Sequence, residues 1–267
     1  MLSNLHTHTT FCDGNDTPEE MVLEAIDKSF ASLGFSGHGY MDFDQSYCIT
    51  DIKGYINEIK RLKEKYKREI QIYLGVEEDM LCPVQNRGDF EYIIGSSHYV
   101  QKDGKPFVLD IGNENFVTAL NQFDGDIVSL AENYFSHFCD YILARRPDII
   151  GHFDLLTKYD EKFDYGFTTN QKYIEVGKKY ISVAAKADSF FEVNTGAIGR
   201  GWRTSQYPAE PLLHQIKKQG GKIVLNSDCH KKSWLDCSFG EVRLLLKDIG
   251  FECIYSLYNG EFQKDML

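Results

Sequence analysis

Short apolar segments of this chain repeatedly end in histidine, aspartate or glutamate. The first segment ends in His6 and His8, and Asp13 follows in a turn. Alternate residues of a strand share a face, so these two imidazoles should project together. Later segments end in the same way, at His38, Glu77, His98, His152, Asp228 and His230. Imidazole nitrogens and carboxylate oxygens are donors that divalent transition metals bind, so the pattern predicts a metal site.

The number of these groups favours a metal-binding role over a structural one. A single histidine at a strand end is usually structural, and Asp13 by itself would be typical of a turn. However, six of the eight histidines of the chain end such segments. Nine ionisable groups at one edge of a fold would repel one another or stay unsatisfied unless cations joined them.

The size of the donor set also bounds the number of ions. A tetrahedral ion takes about four ligands. Nine donors therefore predict two or three divalent ions, with Glu77 as a bridge between them. Zinc, manganese and iron all accept nitrogen and oxygen donors of this kind.

The segments that carry these residues alternate with helical patterns. The seven segments that end in candidate residues or lie between them span 3–8, 33–38, 71–77, 92–98, 148–153, 190–195 and 222–228. An eighth apolar segment spans 251–257. A strand followed by a helix, repeated about seven times without a linker, predicts a parallel barrel of the α/β class. We expect a single domain over residues 1–267, with its chemistry at the carboxyl ends of the strands.

The helices between the strands have recognisable ends. Thr17 and Glu20 form a capping box, with Pro18 at the first helical position. Apolar residues recur at helical spacing between Ile52 and Leu62. The segments 127–143 and 173–187 are also predicted to be helices.

Composition excludes several classes of protein. The net charge of −11 disfavours a general nucleic-acid binder, because such a surface repels phosphate backbones. No apolar run approaches a membrane span, and the amino terminus lacks the pattern of a cleaved leader. The seven cysteines include no CxxC pair, which is typical of reduced thiols in the cytosol. We therefore expect a cytoplasmic protein that binds neither nucleic acid nor membrane; the oligomeric state is not predicted.

Several short motifs, taken in order, resemble those of the polymerase and histidinol phosphatase (PHP) superfamily. They are His6-Thr7-His8-Thr9 with Asp13, Ser36-Gly37-His38, Gly75-Val76-Glu77, Gly95-Ser96-Ser97-His98, Gly151-His152 and Ser227-Asp228-Cys229-His230. The resemblance extends from residue 1 to about residue 230 and includes every expected ligand position. In length, acidity and single-domain organisation, the chain is most similar to the histidinol-phosphate phosphatases of this superfamily.

The resemblance implies a fold and a ligand set. The fold is a distorted (β/α)7 barrel with a trinuclear metal centre. One ion is expected on His6, His8, Glu77 and Asp228. A second is expected on Glu77, His98 and His152, and a third on Asp13, His38 and His230.

The implied reaction is hydrolysis of L-histidinol phosphate to L-histidinol and phosphate, a step of histidine biosynthesis. Three divalent ions and the three carboxylates among the candidate ligands leave a local charge of roughly +3. This charge suits a small phosphomonoester, which carries about −2 at pH 7. We expect a bridging hydroxide to attack phosphorus in line with the leaving alkoxide. Asp228, His230 and Arg200 are the candidate catalytic residues.

Candidate substrate contacts follow the predicted strands. Arg200 and Arg203 lie in the segment Gly199-Arg200-Gly201-Trp202-Arg203, where a guanidinium could bind phosphate in a bidentate manner. The ammonium of the substrate calls for an acidic wall, for which Asp42 and Glu114 are candidates.

Three alternative functions remain open from the sequence. One is another PHP-type phosphoesterase, acting on a nucleotide, sugar or tyrosine phosphate. A second is a metal-dependent amidohydrolase or deaminase, although no lysine ends a strand here to form a carboxylated bridge. A third is an exonuclease or a non-catalytic metal-sensing module, although the acidic chain has no basic groove.

Overall fold

The computed structural model describes residues 1–267, in which strands and helices alternate. The strands are β1 (Ser3–Asn4), β2 (Ser32–Phe35), β3 (Gln71–Asp79), β4 (Tyr92–Ser96), β5 (Tyr99–Lys102), β6 (Lys105–Val108), β7 (Ile149–Ile150), β8 (Phe190–Asn194), β9 (Ile223–Asn226), β10 (Cys253–Tyr258) and β11 (Glu261–Met266). The α-helices are α1 (Pro18–Asp27), α2 (Ile52–Lys65), α3 (Asn113–Asn121), α4 (Ile127–Arg145), α5 (Asp160–Phe163), α6 (Gln171–Ala184), α7 (Gly196–Gly199), α8 (Glu210–Lys218) and α9 (Phe239–Ile249).

Seven parallel strands form a curled sheet in the order β1, β2, β3, β4, β7, β8 and β9. A single parallel bridge between Thr7 and Cys229 joins its two ends. The backbone amide of His8 donates to the carbonyl of Cys229 over 3.0 Å at this closure. The architecture confirms the predicted distorted (β/α)7 barrel. The shortest barrel strands are β1 and β7, which contain two residues each.

Two parts of the sheet architecture differ from the simple strand–helix alternation. An antiparallel hairpin, β5 and β6, follows the fourth barrel strand directly. The predicted eighth apolar segment forms β10, which pairs with β9 in parallel and with β11 in the antiparallel sense. Four of the six residues of β11 are polar or charged, and β6 has only four residues and begins Lys105-Pro106. Hydrophobic patterning therefore gave little signal for either strand.

The predicted helices are present with small shifts at their ends. The capping box of α1 is confirmed, with the Thr17 side chain accepting from the Glu20 backbone amide and the Glu20 side chain accepting from that of Thr17. Helix α2 buries Tyr55, Ile59 and Leu62 against β3. Helix α4 is the longest at 19 residues. None of the helices is both long enough and apolar enough to cross a membrane.

The core has separate parts outside and inside the barrel. Helices α4, α6 and α8 pack together in a cluster of 37 buried residues, whereas α1 and α2 cover a cluster of 16. A third cluster of seven includes Tyr73 of β3 and Tyr92 of β4. Alternate strand residues share a face, so Tyr73 lies on the same face as Glu77. Aromatic rings therefore fill the barrel on the face that presents the candidate ligands further along each strand.

The ring of Tyr92 leaves room only for glycine on the neighbouring strand. Its hydroxyl donates to the backbone carbonyl of Leu5, just after β1, and lies 3.2 Å from that of Phe35 in β2, so it connects β4 to both segments. A β-carbon added at Gly75 would lie 2.3 Å from Cζ of this ring. Interiors are packed as densely as organic crystals, so the ring cannot move aside without breaking these contacts.

We predict that Gly75→Ala destabilises the protein by about 1–3 kcal/mol, the usual cost of overpacking a core. Urea unfolding followed by circular dichroism would measure the change in the free energy of unfolding. The control is Gly240→Ala in α9, where an added β-carbon meets no atom within 4 Å. Equal stability of the Gly75→Ala variant and the unmodified protein would contradict this account of the barrel interior.

Candidate metal centre

The carboxyl ends of the barrel strands bring all nine candidate ligands into one cluster. The ligands are His6, His8, Asp13, His38, Glu77, His98, His152, Asp228 and His230. Their donor atoms fall into four overlapping groups, each with all atoms within 4.8 Å of one another. The convergence that the sequence predicted is therefore present in the fold.

Glu77 lies at the centre of the cluster, and its side chain has no exposed surface. Five imidazoles surround its two carboxylate oxygens. Oε2 lies 3.2 Å from His6 Nε2, 3.5 Å from His8 Nε2 and 2.9 Å from His38 Nδ1, and Oε1 lies 3.4 Å from His98 Nε2 and 2.9 Å from His152 Nε2. Both oxygens thus face several nitrogens, as a bridging ligand requires.

Two aspartates complete the cluster on the opposite side. Asp228 Oδ1 lies 3.1 Å from His8 Nε2 and 3.7 Å from His6 Nε2. Asp13 Oδ2 lies 3.0 Å from His230 Nε2, and Asp13 Oδ1 lies 3.6 Å from His38 Nε2. Asp13 comes from the turn before α1, so the closing bridge between the first and last barrel strands brings it to His230.

Several buried nitrogen and oxygen atoms of the candidate ligands have no hydrogen-bond partner. They include His6 Nε2, His8 Nε2 and Glu77 Oε2. An unsatisfied polar atom in a protein interior costs about 1–3 kcal/mol, so three at one point need an explanation. The imidazole and carboxylate donors fit divalent cations, which would satisfy them together.

The electrostatics of the cation-free cluster favour protonated imidazoles. Burial opposes a charge on His6, but Glu192, Glu77 and Asp228 outweigh it and raise its pKa to about 10. Burial is likewise outweighed at His38, where Glu77 and Asp13 raise the pKa to about 9. A metal ion that binds His6 and His38 would therefore have to displace their protons.

The other groups of the cluster shift in ways that match their neighbours. Burial would raise the pKa of Glu77, but the imidazoles of His6, His38 and His98 hold it well below its usual range. Burial together with the charges of His8 and Arg200 lowers the pKa of His230 to about 4. At neutral pH, Glu77 is therefore ionised and His230 is neutral, which are the forms that bind metals.

Two buried carboxylates, Glu192 and Asp79, contact the ring nitrogens of candidate ligands that face away from Glu77, and sequence reasoning did not identify them. Glu192 Oε1 lies 2.7 Å from His6 Nδ1. Asp79 Oδ2 lies 3.1 Å from His98 Nδ1 and accepts from the His98 backbone amide over 3.0 Å. The available signal was a charged residue inside an apolar strand, since such a charge is buried only with partners.

The cluster opens into a cavity of about 240 Å³. Arg200 lines this cavity, and its Nη2 donates to Asp228 Oδ2 over 2.7 Å. Two further lining residues were not identified from the sequence, namely Lys158 and Asp110. Lys158 Nζ donates to the Asp110 carbonyl over 2.8 Å and lies 3.4 Å from its carboxylate. Burial lowers the pKa of Lys158, and Asp110 opposes this shift.

The structure places three predicted substrate contacts outside this cavity. Arg203 is only 4% exposed and donates to Thr157 and Ser205, so its guanidinium is committed to internal contacts. Asp42 lines a separate cavity of about 540 Å³. Glu114 is exposed in the first turn of α3. The position of each residue shortly after a predicted strand indicated the carboxyl end of the barrel. It could not indicate the direction in which the side chain points.

A sequence profile of the PHP domain matches residues 4–196. The chain belongs to the PHP domain family. Relatives include a probable histidinol-phosphatase of Schizosaccharomyces pombe, 26% identical over 96% of this chain and 89% of that protein. The histidinol-phosphatase of Bacillus subtilis is 24% identical over 85% of this chain and 92% of that protein.

A solved structure supports the PHP fold of the chain. The histidinol phosphate phosphatase of Lactococcus lactis superposes with a TM-score of 0.71 at 18% sequence identity. The match covers 98% of this chain and 99% of that one. The Lactococcus structure is a complex with zinc, L-histidinol and phosphate.

We predict that metal binding to this PHP domain releases protons and strengthens as pH rises from about 6 to about 9. The imidazoles with raised pKa values hold protons at low pH, so cations must displace them. Calorimetric titration of Zn²⁺ in buffers of different ionisation enthalpy would count the protons released. His214→Ala, at a half-exposed histidine on α8, should keep the same profile. An affinity that stays constant or falls over this range would contradict the prediction.

Proposed function

We propose that the protein hydrolyses L-histidinol phosphate to L-histidinol and phosphate, using three divalent metal ions. The observation that carries the proposal is the small cavity in which the ligand cluster, two cationic side chains and one carboxylate face one another. The histidinol-phosphatases among the relatives and the Lactococcus complex with L-histidinol and phosphate support the choice of substrate.

Three ligand sets would hold the ions. The first consists of His6, His8, Glu77 and Asp228, the second of Glu77, His98 and His152, and the third of Asp13, His38 and His230. Zinc suits these donors, as do manganese and iron. Divalent ions in such a centre supply an acidified water as nucleophile and positive charge for the phosphoryl oxygens.

Arg200 and Lys158 supply the charge with which the chain itself binds the phosphate. Arg200 donates one hydrogen bond from Nη2 to Asp228 Oδ2, and its Nη1 lies 3.0 Å from His230 Nδ1. It is thus held beside the ligands with further N–H groups available, and a guanidinium binds phosphate oxygens in a bidentate manner. Lys158 lies in the same cavity, and burial leaves its ammonium weakly hydrated, so an incoming anion finds little water to displace.

Asp110 provides a partner for the cationic part of the substrate. It lies in the segment after β6, and the hydroxyl of Tyr159 donates to its carbonyl over 2.7 Å. Asp110 lines the cavity, and its carboxylate lies 3.4 Å from Lys158 Nζ. In the bound state, Lys158 would turn to phosphate and Asp110 to the ammonium of L-histidinol phosphate. The expected acidic wall is thus assigned to Asp110 in place of Asp42 and Glu114.

Asp228 and His230 lie at the end of the cavity where the phosphoryl group would bind. Both line the cavity together with Arg200, and Asp228 keeps the guanidinium oriented. The neutral imidazole of His230 lies between Arg200 and Asp13. These residues hold the phosphoryl group in one orientation, and such positioning is a large part of catalysis of phosphoryl transfer.

Phosphate release from L-histidinol phosphate by the metal-loaded protein tests the proposal. We expect its kcat/KM to exceed that of nucleotide, sugar and tyrosine phosphates by orders of magnitude, because only a substrate with an ammonium pairs with Asp110. Chelation should abolish the activity, and zinc, manganese or iron should restore it. A preference for another monoester, or hydrolysis of amides without phosphate release, would overturn the assignment.

We predict that Arg200→Ala lowers kcat/KM at least tenfold, which corresponds to about 1.4 kcal/mol or more of transition-state stabilisation. The variant removes a cationic donor from the phosphate end of the cavity. Steady-state kinetics should be accompanied by metal analysis, because Arg200 also contacts Asp228. Arg61→Ala, at a half-exposed position on α2, serves as the control. Unchanged kinetics in Arg200→Ala would remove this residue from the site.

A further inference from the structure

Glu192 lies in the middle of β8, is fully buried and does not line the cavity. Four groups lie within hydrogen-bond distance of its carboxylate. They are His6 Nδ1 at 2.7 Å and Asn226 Nδ2 at 2.8 Å from Oε1, and the His152 backbone amide and Asn194 Nδ2, both at 2.8 Å from Oε2. Two of these four groups belong to candidate metal ligands on two different strands.

The two asparagine amides cannot be reversed in this network. Asn226 Oδ1 accepts from the backbone amide of Leu5 over 2.8 Å. Asn194 Oδ1 accepts from the backbone amide of Gly196 over 2.8 Å. A backbone amide only donates, so each side-chain NH2 group must point toward Glu192.

These contacts determine which nitrogen of His6 keeps its proton when the ring is neutral, as it must be to bind a metal ion. Three of the four neighbours of Glu192 are obligate donors, and an ionised carboxylate accepts only. His6 Nδ1 must therefore also donate, and in the neutral imidazole this leaves the lone pair on Nε2. That atom is buried without a hydrogen-bond partner, 3.2 Å from Glu77 Oε2 and 3.7 Å from Asp228 Oδ1.

We propose that Glu192 is a positioning residue of the metal centre, which holds His6 in the tautomer that presents Nε2 and tethers the backbone of His152. One carboxylate thereby sets the orientation of one ligand and the position of another across neighbouring strands. The inference rests on the metal centre of the proposed function but not on the identity of the substrate.

A second buried carboxylate provides a contrast. Glu78 of β3 is also fully buried, yet its partners are Arg145, Tyr141 and the backbone amide of Val84. It is adjacent to Glu77 in sequence but projects to the opposite face of the strand. Glu78 therefore stabilises the fold without touching a candidate ligand, which makes Glu78→Gln a matched control.

Glu192→Gln tests the proposal with minimal change in shape. The amide replaces one acceptor oxygen by an NH2 group, which then faces two donors. Whichever way it turns, either His6 or His152 loses its anchor. Loss of a partner that orients a metal ligand typically weakens metal binding by 10–100-fold, so we expect at least one Zn²⁺ site to weaken by about that factor.

Competition of the full-length protein with a chromophoric chelator for Zn²⁺ would measure this affinity, and urea unfolding of the metal-free protein would measure stability. Weakened Zn²⁺ binding in Glu192→Gln, with Glu78→Gln binding normally, supports the proposal. Unchanged affinity in a folded Glu192→Gln variant overturns it. Equal losses of affinity in both variants, in proportion to lost stability, also overturn it, because the role would then be structural.

A second measurement needs no variant at Glu192 and decides the case if Glu192→Gln does not fold. Nitrogen-15 spectra of the Zn²⁺-loaded protein, with the His6 signal assigned by comparison with His6→Asn, report the protonated ring nitrogen. A proton on Nδ1 supports the proposal, and a proton on Nε2 overturns it. Failure to hydrolyse L-histidinol phosphate, combined with weakened Zn²⁺ binding in Glu192→Gln, would overturn the proposed function and leave this inference standing.

Discussion

The burial of Glu77 inside the barrel is the constraint on which the rest of the site depends. Taking an unpaired carboxylate out of water is very costly, so buried charges occur with partners or metal ions. Here the partners are five imidazoles from the ends of four other strands. No local segment could supply them together. The strands must therefore close into a barrel for Glu77 to have these imidazole partners, and the same closure assembles the candidate metal ligands.

A second layer of carboxylates makes this arrangement specific. Imidazoles around Glu77 could rotate or exchange tautomers, since each ring has two nitrogens. Glu192 and Asp79 contact the far nitrogens of His6 and His98, and Arg200 holds Asp228. The donor atoms that face the centre are thus selected by contacts behind them. This organisation also explains why strongly charged residues occur within otherwise apolar strands.

The sequence was sufficient to predict the barrel and the convergence of the ligands, because both follow from periodicity along single strands. The position of a residue such as His98 after a strand follows from the local sequence pattern alone. Lys158, Asp110 and Glu192 were not foreseen, because their roles depend on contacts between distant segments. Arg203 shows the converse: its position after β8 was correct for a phosphate contact, but Thr157 and Ser205 bind its guanidinium inside the protein.

In the proposed function, substrate selectivity and metal binding depend on different parts of the fold. The ligands stand on strand ends, whereas Asp110 follows the hairpin β5–β6 and Lys158 follows β7. The hairpin is nevertheless held to the centre, since the Leu109 amide donates to the carbonyl of the ligand His98 over 2.9 Å. Tyr159 accepts from the Gly112 amide and donates to the Asp110 carbonyl, which fixes the loop that carries the carboxylate. If Asp110 binds the leaving group as proposed, an insertion between two ligand-bearing strands can change that contact while the barrel and its metal ligands stay the same.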